Sequence, residues 1–181
     1  LPMKISAPVV RGKAEAEEVE DFILSLQPEA MIVCCWYTLF SPRVIGALNG
    51  RIYGFHNSLL PSFRGAAPVV WAMFEAAPLG VSLFQITKEM DEGPVVDRQP
   101  ISCDGDAYVG EVLLELEQAS ICLLARNLEG LITDQYSIGM QDQSLLGEPT
   151  YGAARKPQDG LIDWRRPVSQ VYAEVRAQSR P

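Results

Sequence analysis

His56 is the only histidine in this 181-residue chain. Imidazole is the one side chain whose ordinary pKa lies near neutrality, which suits proton transfer. On residue type alone, a lone histidine is more often a satisfied structural group than a catalyst. Its position argues otherwise, because it stands just before a loop holding Ser58, Pro61, Arg64, Gly65 and Pro68. Asp91 is the second candidate, in the charged turn at residues 88–93. An acidic residue in a polar turn is usually solvated surface. The functional alternative is a carboxylate that reaches His56, holds its ring and favours its charged form. The four cysteines, Cys34, Cys35, Cys103 and Cys122, show no CxxC spacing of a zinc site or redox dithiol. They read as small buried hydrophobes in a reducing compartment.

The elements that must position these residues follow from periodicity. Val19, Phe22, Ile23 and Leu26 recur at helical spacing, so residues 14–26 read as an amphipathic helix, ended by Pro28. Residues 31–35 form a short apolar run, as expected of a strand buried on both faces. Pro42 starts a short helix that Asn49-Gly50 stops, and residues 52–56 read as a strand. This strand–helix–strand rhythm implies an α/β fold with a parallel sheet and crossover helices. Ligands of such sheets bind beyond the carboxyl ends of the strands. That rule points to residues 36–40 and 56–65. Further on, residues 67–77 read as a helix, and residues 81–86 and 95–101 as strands. Residues 107–128 read as a long helix with Asp106 as its N-cap. The stretch 137–160, rich in Gly, Gln, Asp and Ser, reads as a surface linker, and residues 168–176 as a final short helix.

Composition narrows the partners. With 48% apolar and 21% charged residues the chain is globular rather than disordered. A net charge of −8 disfavours a nucleic-acid partner held through phosphates, and basic clusters are short, such as Arg165-Arg166. No apolar stretch approaches the roughly 20 residues of a membrane span. No signal peptide is visible, so a cytoplasmic protein is expected. The sequence opens Leu1-Pro2 rather than with Met.

The stretch from His56 to Pro68, HNSLLPSFRGAAP, resembles the HxSLLPxxRGxxP signature of folate-dependent N-formyltransferases. Gly80-Val81-Ser82-Leu83 and Met90-Asp91-Glu92-Gly93 resemble that family's GVT(I/L) strand and following DxG turn. Gly160-Leu161-Ile162-Asp163-Trp164 and Val175-Arg176-Ala177 resemble the segment that follows the catalytic domain in methionyl-tRNA and many sugar N-formyltransferases. The resemblance implies a Rossmann-like parallel sheet with flanking helices and a small C-terminal extension. Its boundaries are a catalytic domain over residues 1–135 and a linker with a C-terminal segment over 136–181. It implies catalytic roles for His56 and Asp91, with 10-formyltetrahydrofolate as co-substrate and no metal. It also implies that Thr38, Leu39 and Phe40 border the folate pterin. Thr87, Lys88, Glu89 and Met90 close the other side, and Ser58, Leu59, Leu60 and Pro61 form a folate-contacting loop.

Two departures carry expectations of their own. The family places Asn two residues before the histidine, where its side chain stabilises an oxyanion, whereas this chain has Gly54. Asn57, one residue after His56 on an extended chain, should point the other way. Losing one oxyanion donor costs about 10²–10³ in rate. The chain is then a slow enzyme, a variant with a substitute donor, or a protein that has lost catalysis. Second, the family's opening strand–helix–strand unit is not found, and the Ala76-Ala77-Pro78-Leu79 stretch is short, so the sheet is expected to be incomplete. The acidic charge favours a small amine acceptor, an amino-sugar nucleotide. Methionyl-tRNA is the rival acceptor and a degenerate folate-binding module the rival non-enzyme. A homodimer stays open.

Overall fold

The computed structural model describes residues 16–36, 38–136 and 148–179. A four-stranded sheet runs β1 (Met31–Val33), β2 (Ile52–His56), β4 (Gly80–Gln85), β5 (Val95–Pro100) in that spatial order. Among the described residues five α-helices flank it: α1 (Ala16–Ser25), α2 (Pro42–Ala47), α3 (Pro68–Phe74), α4 (Val109–Thr133) and α5 (Val168–Gln178). A separate two-stranded ladder pairs β3 (Arg64–Gly65) with β6 (Tyr151–Gly152) in parallel.

The α/β layering matches the expectation, and the sheet is mixed. Only β1 and β2 are parallel, joined by the α2 crossover; β4 runs antiparallel to both β2 and β5. Residues 86–94 form a turn with no room for a crossover helix, and so short a turn returns β5 antiparallel to β4.

Side chains alternate across β2 and sort the core into two faces. Tyr53 packs with Val81, Leu83, Val112, Leu116 and Leu123, the face covered by α3, α4 and α5. Ile52 packs with Phe40, Val44 and Leu48 on the opposite face, under α1 and α2. Gly54 and His56 share the face of Ile52 by the same alternation. The buried carboxylate of Glu20 on α1 accepts hydrogen bonds from Ser41 N–H (2.7 Å) and Ser41 Oγ–H (2.5 Å), pinning the entry to α2.

Four local expectations are corrected. β1 is half-buried rather than buried on both faces, because it is the outer strand of the described sheet and pairs with β2 alone. Cys34, Cys35 and Cys122 are exposed and Cys103 is half-buried: β1 ends at Val33, and Cys35 turns out of the sheet at φ 54°. Asp106 is not the N-cap of α4. Asp104 closes its own turn by accepting the Asp106 N–H, and Tyr108 takes the cap position, its N–H bonded to Glu111 Oε2 at 2.8 Å. Finally, the surface linker assigned to residues 137–160 contains β6, which pairs with the loop after His56; its residues 137–147 lie outside the described ones.

Candidate active site

The loop after β2 is held from below. Ser82, in register with His56 across β2 and β4, is fully buried. Its hydroxyl donates to Ser58 O (2.7 Å) and accepts from Leu60 N–H (3.0 Å). Arg98 Nε donates to Leu60 O at 2.8 Å, and Ser58 Oγ–H to Ser62 O at 2.6 Å. These bonds satisfy a buried loop that would otherwise strand its polar groups.

His56 is 8% exposed, with its Nε2 2.8 Å from Phe63 O. A carbonyl only accepts, so Nε2 carries the hydrogen. The other nitrogen, Nδ1, lies 3.6 Å from Asp91 Oδ2. Asp91 sits at φ 55° in the turn after β4 and accepts the Gly65 N–H at 2.7 Å. The two candidates named from sequence are therefore brought together, and both border one cavity of about 200 Å³. Phe84 places its ring edge-on to His56, 6.4 Å between centroids.

Thr38, Leu39, Thr87, Glu89 and Met90 also line this cavity. The remaining named residues lie elsewhere. Phe40 is buried against α2 and stacks under Trp36 (5.0 Å between centroids, 3° between planes), so Trp36 presents the ring to the cavity. Ser58, Leu60 and Pro61 are buried supports of the loop rather than cavity wall, and Leu59 packs against Gly80. Lys88 is largely exposed and pairs with Glu89 at 3.5 Å. The difference is one of alternation and depth: a loop anchored by Ser82 and Arg98 turns those side chains into the protein. Sequence reasoning did not assign Phe84, Ile86 or Ala66 to the wall. The strand-end rule reached Trp36 as part of residues 36–40 but gave no reason to single it out.

Gly54 lies at the cavity with ordinary backbone geometry. A Cβ there would sit 3.0 Å from Ile86 Cδ1 and 3.5 Å from Phe84 Cε1. The position is thus crowded by the movable tip of one side chain, not by backbone. Among the described residues no group of three or more His, Cys, Asp or Glu is arranged to hold a metal ion, and no helix is long and apolar enough to cross a membrane.

Residues 5–119, well over half of the chain, match the formyl transferase family model. The chain belongs to the formyl transferase family. Solved structures share its fold at low identity. A 4-N formyltransferase from Francisella tularensis aligns at a TM-score of 0.80 and 14% identity, over 93% of this chain and 68% of that one. HypX from Aquifex aeolicus, solved in complex with tetrahydrofolic acid, aligns at 0.79 and 16%, over 93% of this chain and 29% of that one. An N-formyltransferase from Helicobacter canadensis, in complex with folinic acid and dTDP-3-aminofucose, aligns at 0.67 and 14%, over 79% and 51%. This formyltransferase therefore spans from under a third to about two thirds of the length of these relatives.

Proposed function

We propose that this chain transfers a formyl group from 10-formyltetrahydrofolate to a primary amine, and that the acceptor is an amino-sugar nucleotide. The observation that carries this reading is the approach of His56 Nδ1 and Asp91 Oδ2, 3.6 Å apart at one cavity, from two segments remote in sequence. The acceptor class is supported by the nucleotide sugar bound to the Helicobacter relative and by the acidic charge of this chain.

The neutral amine attacks the formyl carbon, a new C–N bond forms, and negative charge gathers on the formyl oxygen. The amine must then lose a proton and the folate nitrogen must gain one as its bond to the formyl carbon breaks. Phe63 O fixes the Nε2–H edge of His56, which leaves Nδ1 as the nitrogen free to exchange a proton. Asp91 faces that nitrogen and steadies the ring when it is charged. The half-exposed Trp36 face and Met90 offer apolar surface to a flat heterocycle.

The test is tetrahydrofolate release from 10-formyltetrahydrofolate, measured with a panel of amino-sugar nucleotides and with the product identified by mass. Release that depends on the amine supports the reading; folate binding without release in the presence of any amine supports the degenerate binding module, which Gly54 favours.

A further inference from the structure

Two strained or shared features meet where the chain returns at residues 150–152. Phe63, whose carbonyl holds His56, is a non-glycine residue at φ 54°, a left-handed conformation that persists only when its surroundings enforce it. What enforces it comes from far along the chain: Phe63 N–H donates to Thr150 Oγ1 at 2.7 Å, and Arg64 N–H to Thr150 O at 2.9 Å. The next residue of β6, Tyr151, bridges both halves of the site. Its hydroxyl accepts from Arg64 on the loop side (2.8 Å) and donates to Glu92 beside Asp91 (2.8 Å). Gly152 O accepts the Ala66 N–H at 3.0 Å. The approach here is close enough to demand glycine on both strands: a Cβ on Gly65 would lie 2.8 Å from Gly152 O, and one on Gly152 2.4 Å from Ala66 O. This contact lies beyond residue 119, where the family match ends.

We propose that Thr150 and Tyr151 are positioning residues for the reaction. The Thr150 hydroxyl holds the Phe63 N–H and its carbonyl the Arg64 N–H, so that the Phe63 carbonyl between them fixes the Nε2–H tautomer of His56, and Tyr151 ties the Arg64 loop to the Asp91 turn. The proposal rests on the catalytic reading of His56 and Asp91 given above. Neither side chain touches the cavity, so both act on turnover rather than on folate binding.

His56 is the only histidine, so its ring ¹⁵N signals report its tautomer without assignment ambiguity. The experiment compares the full chain with Thr150→Val, Thr150→Ser, Tyr151→Phe and His56→Gln, reading kcat, KM for 10-formyltetrahydrofolate and the imidazole ¹⁵N spectrum. Thr150→Val should lower kcat about tenfold, the upper worth of one hydrogen bond, with KM unchanged and the single-tautomer signature lost. Thr150→Ser should restore both. Tyr151→Phe, a change at an exposed rim position that leaves the core intact, should lower kcat several-fold in the same pattern and serves if Thr150→Val does not fold. Wild-type kcat and tautomer signature in the folded variants overturn the proposal, as does a fall in kcat/KM that comes entirely from KM. Full transfer by His56→Gln overturns the catalytic reading instead, while the ¹⁵N signature still reports whether Thr150 governs the ring.

Discussion

Gly54 sets the sharpest question at the scale of single residues. It lies on the His56 face of β2, where a side chain would reach the cavity beside His56, the space to which the proposed reaction assigns the oxyanion. Its backbone needs no glycine, and the only crowding comes from Ile86, a side chain that can rotate at modest cost. Gly54→Asn is therefore expected to raise kcat on the order of 10²-fold, with little change in KM, because the donor acts where charge forms and weakly on the ground state. Pairing it with Ile86→Val, which removes the crowding methyl, should preserve or increase the gain. Tetrahydrofolate release by the three forms decides the matter. If the unsubstituted chain is as fast as Gly54→Asn, a different group already supplies the donor.

At the scale of elements, β5 and α4 are joined by one polar cluster. Arg126 Nε donates to Asp97 Oδ2 at 2.6 Å, Asn127 Nδ2 to the same oxygen at 2.8 Å, and Arg98 N–H to Asp97 Oδ1 at 2.7 Å. Burial opposes ionisation of Asp97, but these three donors outweigh it and hold the carboxyl below its ordinary pKa. A carboxyl that titrates lower in the folded chain than the unfolded value of about 3.9 stabilises fully above that value. The contribution fades as pH falls through the folded value. Arg126 is 43% exposed, so solvent screens the pair. Asp97→Asn should lower Tm by about 2 °C at pH 7, and the gap should close below pH ~3.9. Thermal melts of both forms from pH 7 to pH 3 check it; a gap independent of pH would mean that packing, not charge, joins the elements here.

At the scale of the whole molecule, charge and chain return matter most. A chain of net charge −8 repels a polyanion, so the acceptor reading has a salt signature. Transfer to an amino-sugar nucleotide should change little between 50 and 200 mM salt. An acceptor gripped through 6–10 phosphates would lose on the order of 10³–10⁵ in affinity over that range. Initial rates at a series of salt concentrations, with amino-sugar nucleotides and with charged methionyl-tRNA, separate the two. Steep salt dependence joined to turnover of the tRNA would overturn the small-acceptor reading. The return of residues 150–152 to the loop after His56 makes the site a product of two distant stretches of the chain. The His56 side belongs to the segment matched by the family, and the support comes from a segment beyond it.

The sequence by itself determined the local elements and the residues able to do chemistry. Hydrophobic periodicity placed β2 at residues 52–56 and the helices near their observed bounds, because local spacing decides which face of an element is apolar. The lone histidine at a strand end and the acidic turn were legible for the same reason, as each is a short, contiguous signal. Tertiary structure decided what depends on contacts between remote residues. The strand directions of the sheet followed from how β4 pairs, and the exposure of the cysteines from where β1 ends. The inward turn of Ser58, Leu60 and Pro61 followed from the buried Ser82 hydroxyl. Most of all, two dipeptide-length strands, β3 and β6, are too short to leave any periodic trace. Their pairing exists because Gly65 and Gly152 permit an approach that no sequence spacing records, and it brings Thr150 to the peptide that holds His56.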